Sequence, residues 1–230
     1  MPSDRRAVVT GSSSGIGRAI AQALLCEGWR VTGLDASPPT LDHAQFESMQ
    51  VDLANGPATE TAAQRLAGAH AFVHAAGVLR VGGLGSLNAA DGELMWRLHV
   101  DAAQCIGNHL VPAMAAAGHG RVVLLGSRVA QGKAGRSQYA ATKAALAGLS
   151  RSWAAEVVAQ GVTVNVVSPA ATQTAMTEDP ARQAAAPVLP PIGRLIRPDE
   201  IAALVSFLLS PAAAAITGQD IQICGGASLR

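Results

Sequence analysis

Charged, aromatic and cysteine residues are all scarce in this sequence. Only 14% of its 230 residues are charged and the formal net charge is +1, so neither nucleic acid nor an anionic membrane is indicated as a partner. Three cysteines without C-x-x-C or metal-ligand spacing are typical of reduced thiols in a cytosolic protein. The N-terminus lacks a signal-peptide pattern, and no apolar run approaches the ~20 residues that span a bilayer. With six histidines in no ligand pattern, we expect a cytoplasmic protein with no bound metal.

Short β-branched or apolar runs alternate with longer amphipathic ones along the chain. The strand patterns fall at residues 7–10, 30–34, 48–51, 71–74, 121–125, 163–167 and 220–223. The helical patterns fall at residues 15–27, 58–66, 90–117, 138–160 and 198–209. This alternation predicts one α/β domain over residues 1–230, with a doubly wound parallel sheet of about seven strands and helices on both faces. Pro38 and Pro39 predict a stunted or absent helix at residues 36–45.

Small and polar residues follow directly after most of the predicted strands. Ligands of a parallel α/β sheet bind at the carboxyl ends of the strands, so these residues are expected to meet along one edge. They are residues 11–17, Asp35, Asp52, residues 74–77, Ser127 and residues 168–174. The convergence predicts a small-molecule site at that edge.

The first of these segments, residues 10–17, reads T-G-S-S-S-G-I-G and opens a predicted helix. Gly11, Gly15 and Gly17 allow a tight turn and a close approach by a pyrophosphate, and the helix N-terminus adds free N–H groups and a positive dipole. The segment has no Gly-Lys-Ser/Thr, which excludes a nucleoside-triphosphate P-loop. Its position between strand and helix predicts a dinucleotide-binding turn, and the alternative is a plain flexible loop.

The acidic residues that follow the next two strands bear on the choice of dinucleotide. Asp35 lies about 20 residues beyond the glycines, where a carboxylate accepts hydrogen bonds from the ribose hydroxyls of NAD. A 2'-phosphate would face that carboxylate, and neither Ser14 nor Ala36 offers a cation, so we predict NAD. Asp52 and Leu53 are predicted to reach the adenine. The alternatives are a turn-forming Asp35 and a helix-capping Asp52.

Tyr139, the only tyrosine of the chain, stands four residues before Lys143 in a predicted helix. Side chains at i and i+4 share one helix face, with Cβ atoms roughly 5–6 Å apart. A lysine ammonium there favours the ionised phenol, so we expect the tyrosine pKa to lie below its usual value of about 10. Such a tyrosine can exchange a proton with an alcohol or carbonyl oxygen near neutral pH, and Ser127 is placed to hydrogen-bond the same oxygen. The alternative is that Tyr139 and Lys143 simply lie on a solvated helix face and carry no chemistry.

Together these segments resemble the short-chain dehydrogenase/reductase family over the whole chain. Residues 10–17 look like its glycine motif, and Ser127, Tyr139 and Lys143 look like its catalytic residues. Residues 168–174 (S-P-A-A-T-Q-T) are similar to its Pro-Gly-x-x-x-Thr segment, and residues 191–201 and 216–226 to its C-terminal signature. The resemblance implies a Rossmann-type fold and a homotetramer or dimer, with the helices at residues 90–117 and 138–160 at one interface.

The resemblance also implies a role for each site residue. Tyr139 would be the general acid/base, Ser127 would polarise the substrate carbonyl, and Lys143 would bind the nicotinamide ribose. Thr174 and the backbone of Thr172 would hold the carboxamide, while the cofactor itself supplies the hydride chemistry. The cofactor residues expected in all are Gly11, Ser13, Ser14, Gly15, Ile16, Gly17, Asp35, Asp52, Leu53, His74, Ala75, Ala76, Gly77, Tyr139, Lys143, Pro169, Ala170, Thr172 and Thr174.

Two loops depart from the family pattern. The family's Asn-Asn-Ala-Gly appears as H-A-A-G at residues 74–77, so His74 is expected either to serve near the adenosine or to pack at the strand end. The Pro-Gly step appears as Pro169-Ala170, which requires a backbone at Ala170 that tolerates a Cβ.

The third departure concerns the family's fourth catalytic residue, an asparagine. The resemblance implies that Asp101, in the segment H-V-D at residues 99–101, stands where the family has this asparagine. A carboxylate near Lys143 would stabilise the ammonium and oppose ionisation of Tyr139, which predicts a relay with an altered pH optimum. The alternative is that Asp101 lies off the relay and caps or solvates the helix.

Residues 175–197 are where the family places its substrate lid. Here the segment is short, alanine-rich and carries four prolines, which favours a small substrate. Loops that could face the pocket carry six basic residues, which would suit an acidic substrate or simply lie exposed; they are Arg80, Arg128, Lys133, Arg136, Arg182 and Arg194. The loops at residues 73–82 and 225–229 and the short link at 36–45 look similar to those of 2,3-dihydro-2,3-dihydroxybenzoate dehydrogenases, which oxidise a cyclic dihydrodiol carboxylate with NAD.

The sequence therefore predicts an NAD-dependent oxidoreductase acting on a secondary alcohol or ketone of a small, anionic or polyhydroxylated substrate. The dihydrodiol dehydrogenase is a narrower alternative. A catalytically silent NAD-binding or scaffold protein is the alternative from another class, motivated by Asp101, His74 and Ala170. An epimerase or dehydratase with the same Tyr-x-x-x-Lys is disfavoured, because it needs a larger C-terminal domain than the chain after Thr174 provides.

Overall fold

A computed structural model describes residues 5–174 and 188–229 of the chain. The strands are β1 (Arg6–Thr10), β2 (Arg30–Asp35), β3 (Phe46–Gln50), β4 (Ala71–His74), β5 (Gly120–Leu125), β6 (Val162–Pro169) and β7 (Asp220–Ile223). The helices are α1 (Gly15–Cys26), α2 (Gly56–Ala63), α3 (Ala89–Trp96), α4 (Ala102–Ala116), α5 (Ser137–Val157) and α6 (Pro198–Leu209). All seven strands pair in parallel in one sheet, in the order β3-β2-β1-β4-β5-β6-β7, which confirms the predicted fold class.

Helices cover both faces of this sheet because successive strand residues point to opposite sides. In β5, Val122 and Leu124 face an apolar cluster shared with α2, α4 and α5. Their neighbours Val123 and Leu125 face a second cluster shared with α1 and α6. A central strand buried on both faces therefore reads as a continuous apolar run rather than as an alternating one.

The direction of winding reverses at β1, which pairs with β2 on one side and with β4 on the other. The loops that leave β1 and β4 diverge at this point, and a crevice opens at their carboxyl ends. The link from β2 to β3, residues 36–45, contains no helix, as its two prolines predict. The β1–β4 crevice is where the candidate site lies.

The single helix predicted at residues 90–117 is wrong. α3 ends at Trp96, a π-helical turn covers Arg97–Asp101, and α4 begins at Ala102. A π turn adds a residue to the helical ladder, so it shifts the faces that the flanking helices present, and such turns are frequent at functional sites. The ends of the other predicted elements differ from the observed ones by at most three residues.

Three further expectations concern membranes, metals and the lid. None of the helices in the described ranges is long and apolar enough to cross a bilayer. Within the same ranges, no group of three His, Cys, Asp or Glu side chains is arranged to hold a metal ion, and Cys26, Cys105 and Cys224 are free thiols. Residues 175–187 of the expected lid lie outside the described residues, so the lid stays a prediction.

Candidate active site

The turn between β1 and α1 accepts only glycine at two positions. A Cβ on Gly11, whose φ is +70°, would lie 2.9 Å from the Cα of Ala76, and a Cβ on Gly17 would lie 2.2 Å from the carbonyl oxygen of Gly11. Contacts that short force the backbone to move. The turn therefore sets the N-terminus of α1 directly against the crevice, with the unpaired N–H groups of its first turn available to an anion.

Asp35 lies at the end of β2 on the wall of this crevice. Its Oδ2 accepts a hydrogen bond from the backbone N–H of Ser13 (2.9 Å) and its Oδ1 accepts one from that of Ser37 (2.9 Å). Ser13 also donates its hydroxyl to the Ser37 carbonyl (3.2 Å), so it fixes the turn and does not line the crevice. Asp52, Leu53 and Ser14 do line it, together with Gly11, Gly15, Ile16, Gly17, Ala75, Ala76, Gly77 and Thr174.

A second cavity of about 330 Å³ adjoins this crevice, which itself encloses about 370 Å³. The two share a wall formed by Ile16, Ala75, Gly77 and Thr174. An elongated ligand can therefore occupy both at once, with its middle against the glycine turn. The residues present fit a dinucleotide: a glycine cradle at the helix N-terminus, a fixed carboxylate at one end and an enclosed pocket at the other.

The predicted catalytic residues meet in the second cavity, where Ser127, Tyr139 and Lys143 all lie on the wall. Ser127 follows β5, and its Oγ accepts from the N–H of Val129 (3.2 Å), which leaves the hydroxyl proton to donate. Tyr139 and Lys143 come from α5, with the Lys143 ammonium 5.9 Å from the centre of the tyrosine ring. The structure therefore brings a hydroxyl donor, a phenol and an ammonium to one small space.

Lys143 is a buried charge on the wall of this cavity, with 5% of the residue exposed. Its Nζ donates to the carbonyl oxygen of Leu125 at the end of β5 (2.7 Å). Burial disfavours the ammonium and lowers the pKa of Lys143 to about 7. The side chain is thus held by the end of β5 and by its own helix. Near pH 7, its neutral and charged forms are close in free energy.

At the end of β6, the segment from Pro169 to Thr174 closes the second cavity. Pro169, Ala170, Thr172 and Thr174 all lie on its wall. Ala170 donates its N–H to the Ile223 carbonyl (3.2 Å), and no non-glycine residue in the described ranges has a positive φ. The departure from Pro-Gly is therefore accommodated without backbone strain.

His99, in the π-helical turn, is a site residue that the sequence analysis missed. It is fully buried and its Nε2 accepts a hydrogen bond from the N–H of Val78 (3.0 Å). Its Nδ1 therefore carries the proton and donates to the Thr142 hydroxyl (2.8 Å), which donates in turn to the Tyr139 carbonyl (2.9 Å). Burial lowers the pKa of His99 well below its usual value, so the ring is neutral. His99 thus joins the loop after β4 to the helix that carries Tyr139 and Lys143.

Asp101 is exposed, and the structure does not bring it to the cavity. The expected register is wrong by two residues: His99 occupies the buried position facing α5. Residues two apart on a helix point to nearly opposite sides, so an inward His99 turns Asp101 outward. Val100, Ala102 and Ala103 are all apolar and all buried, so the hydrophobic spacing around Asp101 gives no signal that sets this register.

His74, unlike Asp101, is buried in the core, and it does not line the crevice. Its Nε2–H donates to the carbonyl of Leu98 (3.1 Å), and its Nδ1 accepts from the hydroxyl of Thr10 (3.0 Å). Burial lowers the pKa of His74 to about 3, so it too is neutral. The expectation that His74 serves near the adenosine is wrong; the alternative, packing at the strand end, describes it. The Thr10 hydroxyl accepts from the N–H groups of Ala75 and Ala76 and so shapes the crevice loop.

Comparison with known proteins agrees with this geometry. A family model described as Enoyl-(Acyl carrier protein) reductase matches residues 11–228. The 3-oxoacyl-[acyl-carrier-protein] reductase FabG of Escherichia coli strain K12 is 33% identical over 233 residues, covering 96% of each chain. The 2,3-dihydro-2,3-dihydroxybenzoate dehydrogenase of the same organism is 33% identical over 238 residues, again covering 96% of each chain.

Solved structures agree as well. A structure described as a short chain dehydrogenase/reductase family protein superimposes with a TM-score of 0.88 at 30% identity and covers 100% of both chains. A 3-oxoacyl (acyl-carrier-protein) reductase from Agrobacterium tumefaciens C58, solved with NADP bound, has a TM-score of 0.87 at 28% identity and covers 96% of this chain and 93% of that one. These likenesses extend over nearly the whole length, and the chain belongs to the short-chain dehydrogenase/reductase family.

Proposed function

We propose that the protein is an NAD-dependent oxidoreductase that transfers hydride between nicotinamide and a secondary alcohol or ketone of a small, anionic or polyhydroxylated substrate. One observation carries this proposal: Ser127, Tyr139 and Lys143 line a cavity that shares a wall with the glycine-lined crevice. A nicotinamide reaching over that wall would stand beside a phenol, a hydroxyl and an ammonium. Membership of an oxidoreductase family supports the same reaction class.

The proposal gives each of the three side chains a role that is compatible with its surroundings. Tyr139 passes a proton to or from the substrate oxygen as general acid/base. Ser127, whose oxygen already accepts a bond from Val129, donates its hydroxyl to that oxygen and polarises it. Lys143 holds the nicotinamide ribose hydroxyls, and its ammonium favours the ionised phenol. When bound, the nicotinamide supplies or accepts the hydride.

The preference for NAD over NADP rests on the charge of the crevice. Two carboxylates, Asp35 and Asp52, are among its lining residues, and none of the described residues on that wall is lysine or arginine. A ribose diol donates to carboxylate oxygens, whereas a 2'-phosphate would be repelled by them. The fold by itself does not decide the matter, since one solved structure similar to this chain binds NADP.

Titration with NADH and then NADPH, followed by tryptophan quenching, tests the cofactor. We expect NADH to bind at least tenfold more tightly, a difference of about 1.4 kcal/mol. Equal or reversed affinities would contradict the NAD assignment. Binding of neither cofactor would instead favour the silent scaffold protein.

The Tyr139→Phe variant tests the reaction. Removing a general acid/base lowers kcat by about 10²–10⁴-fold, and NADH affinity should stay within a few-fold of wild type because the ring remains. Turnover that survives this substitution would rule out Tyr139 as the proton donor.

Two narrower activities are suggested by relatives at 33% identity: reduction of a 3-oxoacyl thioester and oxidation of a cyclic dihydrodiol carboxylate. They differ in the charge next to the reacting carbon, since a thioester is neutral there and a carboxylate is not. Parallel assays with an acetoacetyl thioester and with a cyclic dihydrodiol carboxylate separate them. Loss of activity on both would leave the general alcohol/ketone reaction for a wider screen.

We also propose that the protein is a cytoplasmic homo-oligomer, a tetramer or a dimer. The support is a groove of about 820 Å³ between α4 and α5 on the molecular surface, lined in part by Val111, Ala115 and Trp153. These are the two helices that the family resemblance places at an interface. Sedimentation or light scattering of the purified protein measures the state directly, and a monomer at micromolar concentration would overturn the proposal.

A further inference from the structure

The link between β2 and β3 is tied to the glycine turn by hydrogen bonds on both sides of its two prolines. Ser13 donates its hydroxyl to the carbonyl oxygen of Ser37 (3.2 Å), and its own carbonyl oxygen accepts from the hydroxyl of Thr40 (2.7 Å). Pro38 and Pro39 lie between these two contacts, and their rings fix φ, so the spacer is stiff. One residue of the turn therefore holds both ends of a short rigid segment.

The same contacts set the direction of the Asp35 side chain. Its Oδ2 accepts from the backbone N–H of Ser13 and its Oδ1 from that of Ser37, each at 2.9 Å. The link is also anchored where it leaves β2, because Gln50 of β3 donates its side-chain N–H to the carbonyl oxygen of Ala36 (2.9 Å). The carboxylate on the crevice wall is therefore held in one direction before any ligand arrives.

Arg18 is joined to this network from α1. Its Nε donates to the hydroxyl oxygen of Thr40 (3.1 Å), while that hydroxyl donates to the carbonyl oxygen of Ser13. The backbone N–H of Arg18 donates to the carbonyl oxygen of Ser14 (3.1 Å), and Ser14 lines the crevice. Arg18 itself is exposed and does not line the crevice. A guanidinium thus stands one helical turn behind the crevice wall, where the Thr40 hydroxyl binds it.

A cation in this position bears on the choice of cofactor, because the two dinucleotides differ at the ribose 2' position. NAD carries a hydroxyl there, which donates to a carboxylate such as Asp35. NADP carries a phosphate there, which a guanidinium binds through paired N–H groups. An arginine side chain has several rotatable bonds, so its direction depends on the partner that holds it. With its Nε bonded to Thr40, Arg18 does not reach the crevice wall.

We propose that Thr40 is a specificity-determining positioning residue, whose hydroxyl holds Arg18 behind the crevice and away from the ribose 2' position. This rests on the proposed function, because it concerns the cofactor of the same site. Asp35 favours the ribose diol of NAD, and Thr40 withholds the cation that a 2'-phosphate needs. Loss of the hydroxyl changes the choice of cofactor and leaves the rest of the site in place.

The Thr40→Val variant removes the hydroxyl and keeps the shape of the side chain. NADH and NADPH are titrated separately into each protein, nicotinamide emission reports binding, and the ratio of the two dissociation constants is compared with that of wild type. We expect the ratio to move about fivefold toward NADPH, the size of an exposed charge contact. The gain in NADPH affinity should shrink as salt is added. Thr40→Ser keeps the hydroxyl and should stay within about twofold of wild type.

The double variant Thr40→Val/Arg18→Gln tests whether Arg18 carries the effect. Without the guanidinium, NADPH should bind no more tightly than it does to Arg18→Gln alone, so the shift toward NADPH disappears. A shift of the same size in the double variant would overturn the proposal, because the released cation is its cause.

Thr61→Val is the matched control. Its hydroxyl donates to the carbonyl oxygen of Pro57 (2.9 Å) on the exposed side of α2, and Thr61 does not line the crevice. The same loss of a hydroxyl there should leave the ratio of the two affinities unchanged.

The ratio separates this proposal from the proposed function. A merely structural role for Thr40 would weaken both cofactors equally, and an unchanged ratio in Thr40→Val overturns the proposal whatever wild type prefers. Equal affinities in wild type contradict the NAD assignment, while a shift in Thr40→Val relative to wild type still supports the role of Thr40. Binding of neither cofactor overturns both.

Discussion

His99 connects two parts of the site that the chain separates by many residues. Its ring bonds Val78, in the crevice loop, and Thr142, which lies between Tyr139 and Lys143 on α5. The Tyr139 ring lies edge-on to the His99 ring, with centroids 5.6 Å apart. The neutral ring can serve both partners only with its proton on Nδ1, so the site depends on one tautomer.

We therefore expect His99→Leu to damage stability and catalysis together. It leaves the Val78 N–H and the Thr142 hydroxyl without their bonds, at about 1–3 kcal/mol for each buried group. His99→Asn can still accept from Val78 or donate to Thr142 and should lose less than His99→Leu. Urea unfolding measures the stability, and kcat measured separately from KM reports the positioning of Tyr139. A His99→Leu protein with wild-type kcat would show that the histidine is only structural.

Lys143 makes the stability of the protein depend on pH. Its pKa is about 7 when folded and about 10.4 when unfolded, so the unfolded state binds more protons between those values. The free energy of unfolding therefore rises with pH from about 7 to about 10, at up to about 1.4 kcal/mol per unit. Lys143→Met should remove this rise, as measured by urea unfolding at several pH values.

The matched control for this measurement is Lys133→Met, because Lys133 is exposed. Its pH dependence should follow that of wild type. If Lys143→Met and wild type run parallel across this range, then burial of Lys143 does not set the titration.

Among the elements, the β1–α1 turn has no room for a side chain at Gly17. Gly17→Ala puts a Cβ 2.2 Å from the Gly11 carbonyl oxygen, so the N-terminus of α1 must shift away from the crevice. We expect NADH affinity to fall by more than tenfold and the melting temperature to drop. Gly56→Ala, at the start of α2, is the control, because its Cβ would meet nothing within 4 Å. Equal NADH affinity in the two variants would exclude the turn from cofactor binding.

Hydrophobic patterns along the chain predicted every strand of the sheet, but not the π-helical turn. The pattern at residues 90–117 is amphipathic, and one extra residue in the helical ladder leaves no mark in the composition. What places the turn is the packing of His99 and Leu98 against α5 and His74, which are distant in sequence. The error in Asp101 follows directly, because a register read from spacing alone has no way to detect it.

At the scale of the molecule, the groove between α4 and α5 predicts how the chain assembles. Ala116, exposed at the end of α4, lies on this groove. Ala116→Arg should therefore shift the protein toward smaller species in light scattering. Ala44→Arg, in the exposed β2–β3 link, should leave the mass unchanged. An unaltered mass for Ala116→Arg would direct the search for the interface to other faces.

The sequence by itself determined the α/β class, the seven parallel strands and the positions of the glycine turn, Asp35, Ser127, Tyr139 and Lys143. These depend on local patterns: residues that follow a strand meet at one edge of a parallel sheet whatever lies between them. Only the tertiary structure decided that His99 and not Asp101 faces α5, and that His74 is buried in the core. It also decided that Arg128, Lys133 and Arg136 line the cavity beside Lys143. Those outcomes depend on which side chains meet across elements distant in sequence, and spacing along the chain does not contain that information.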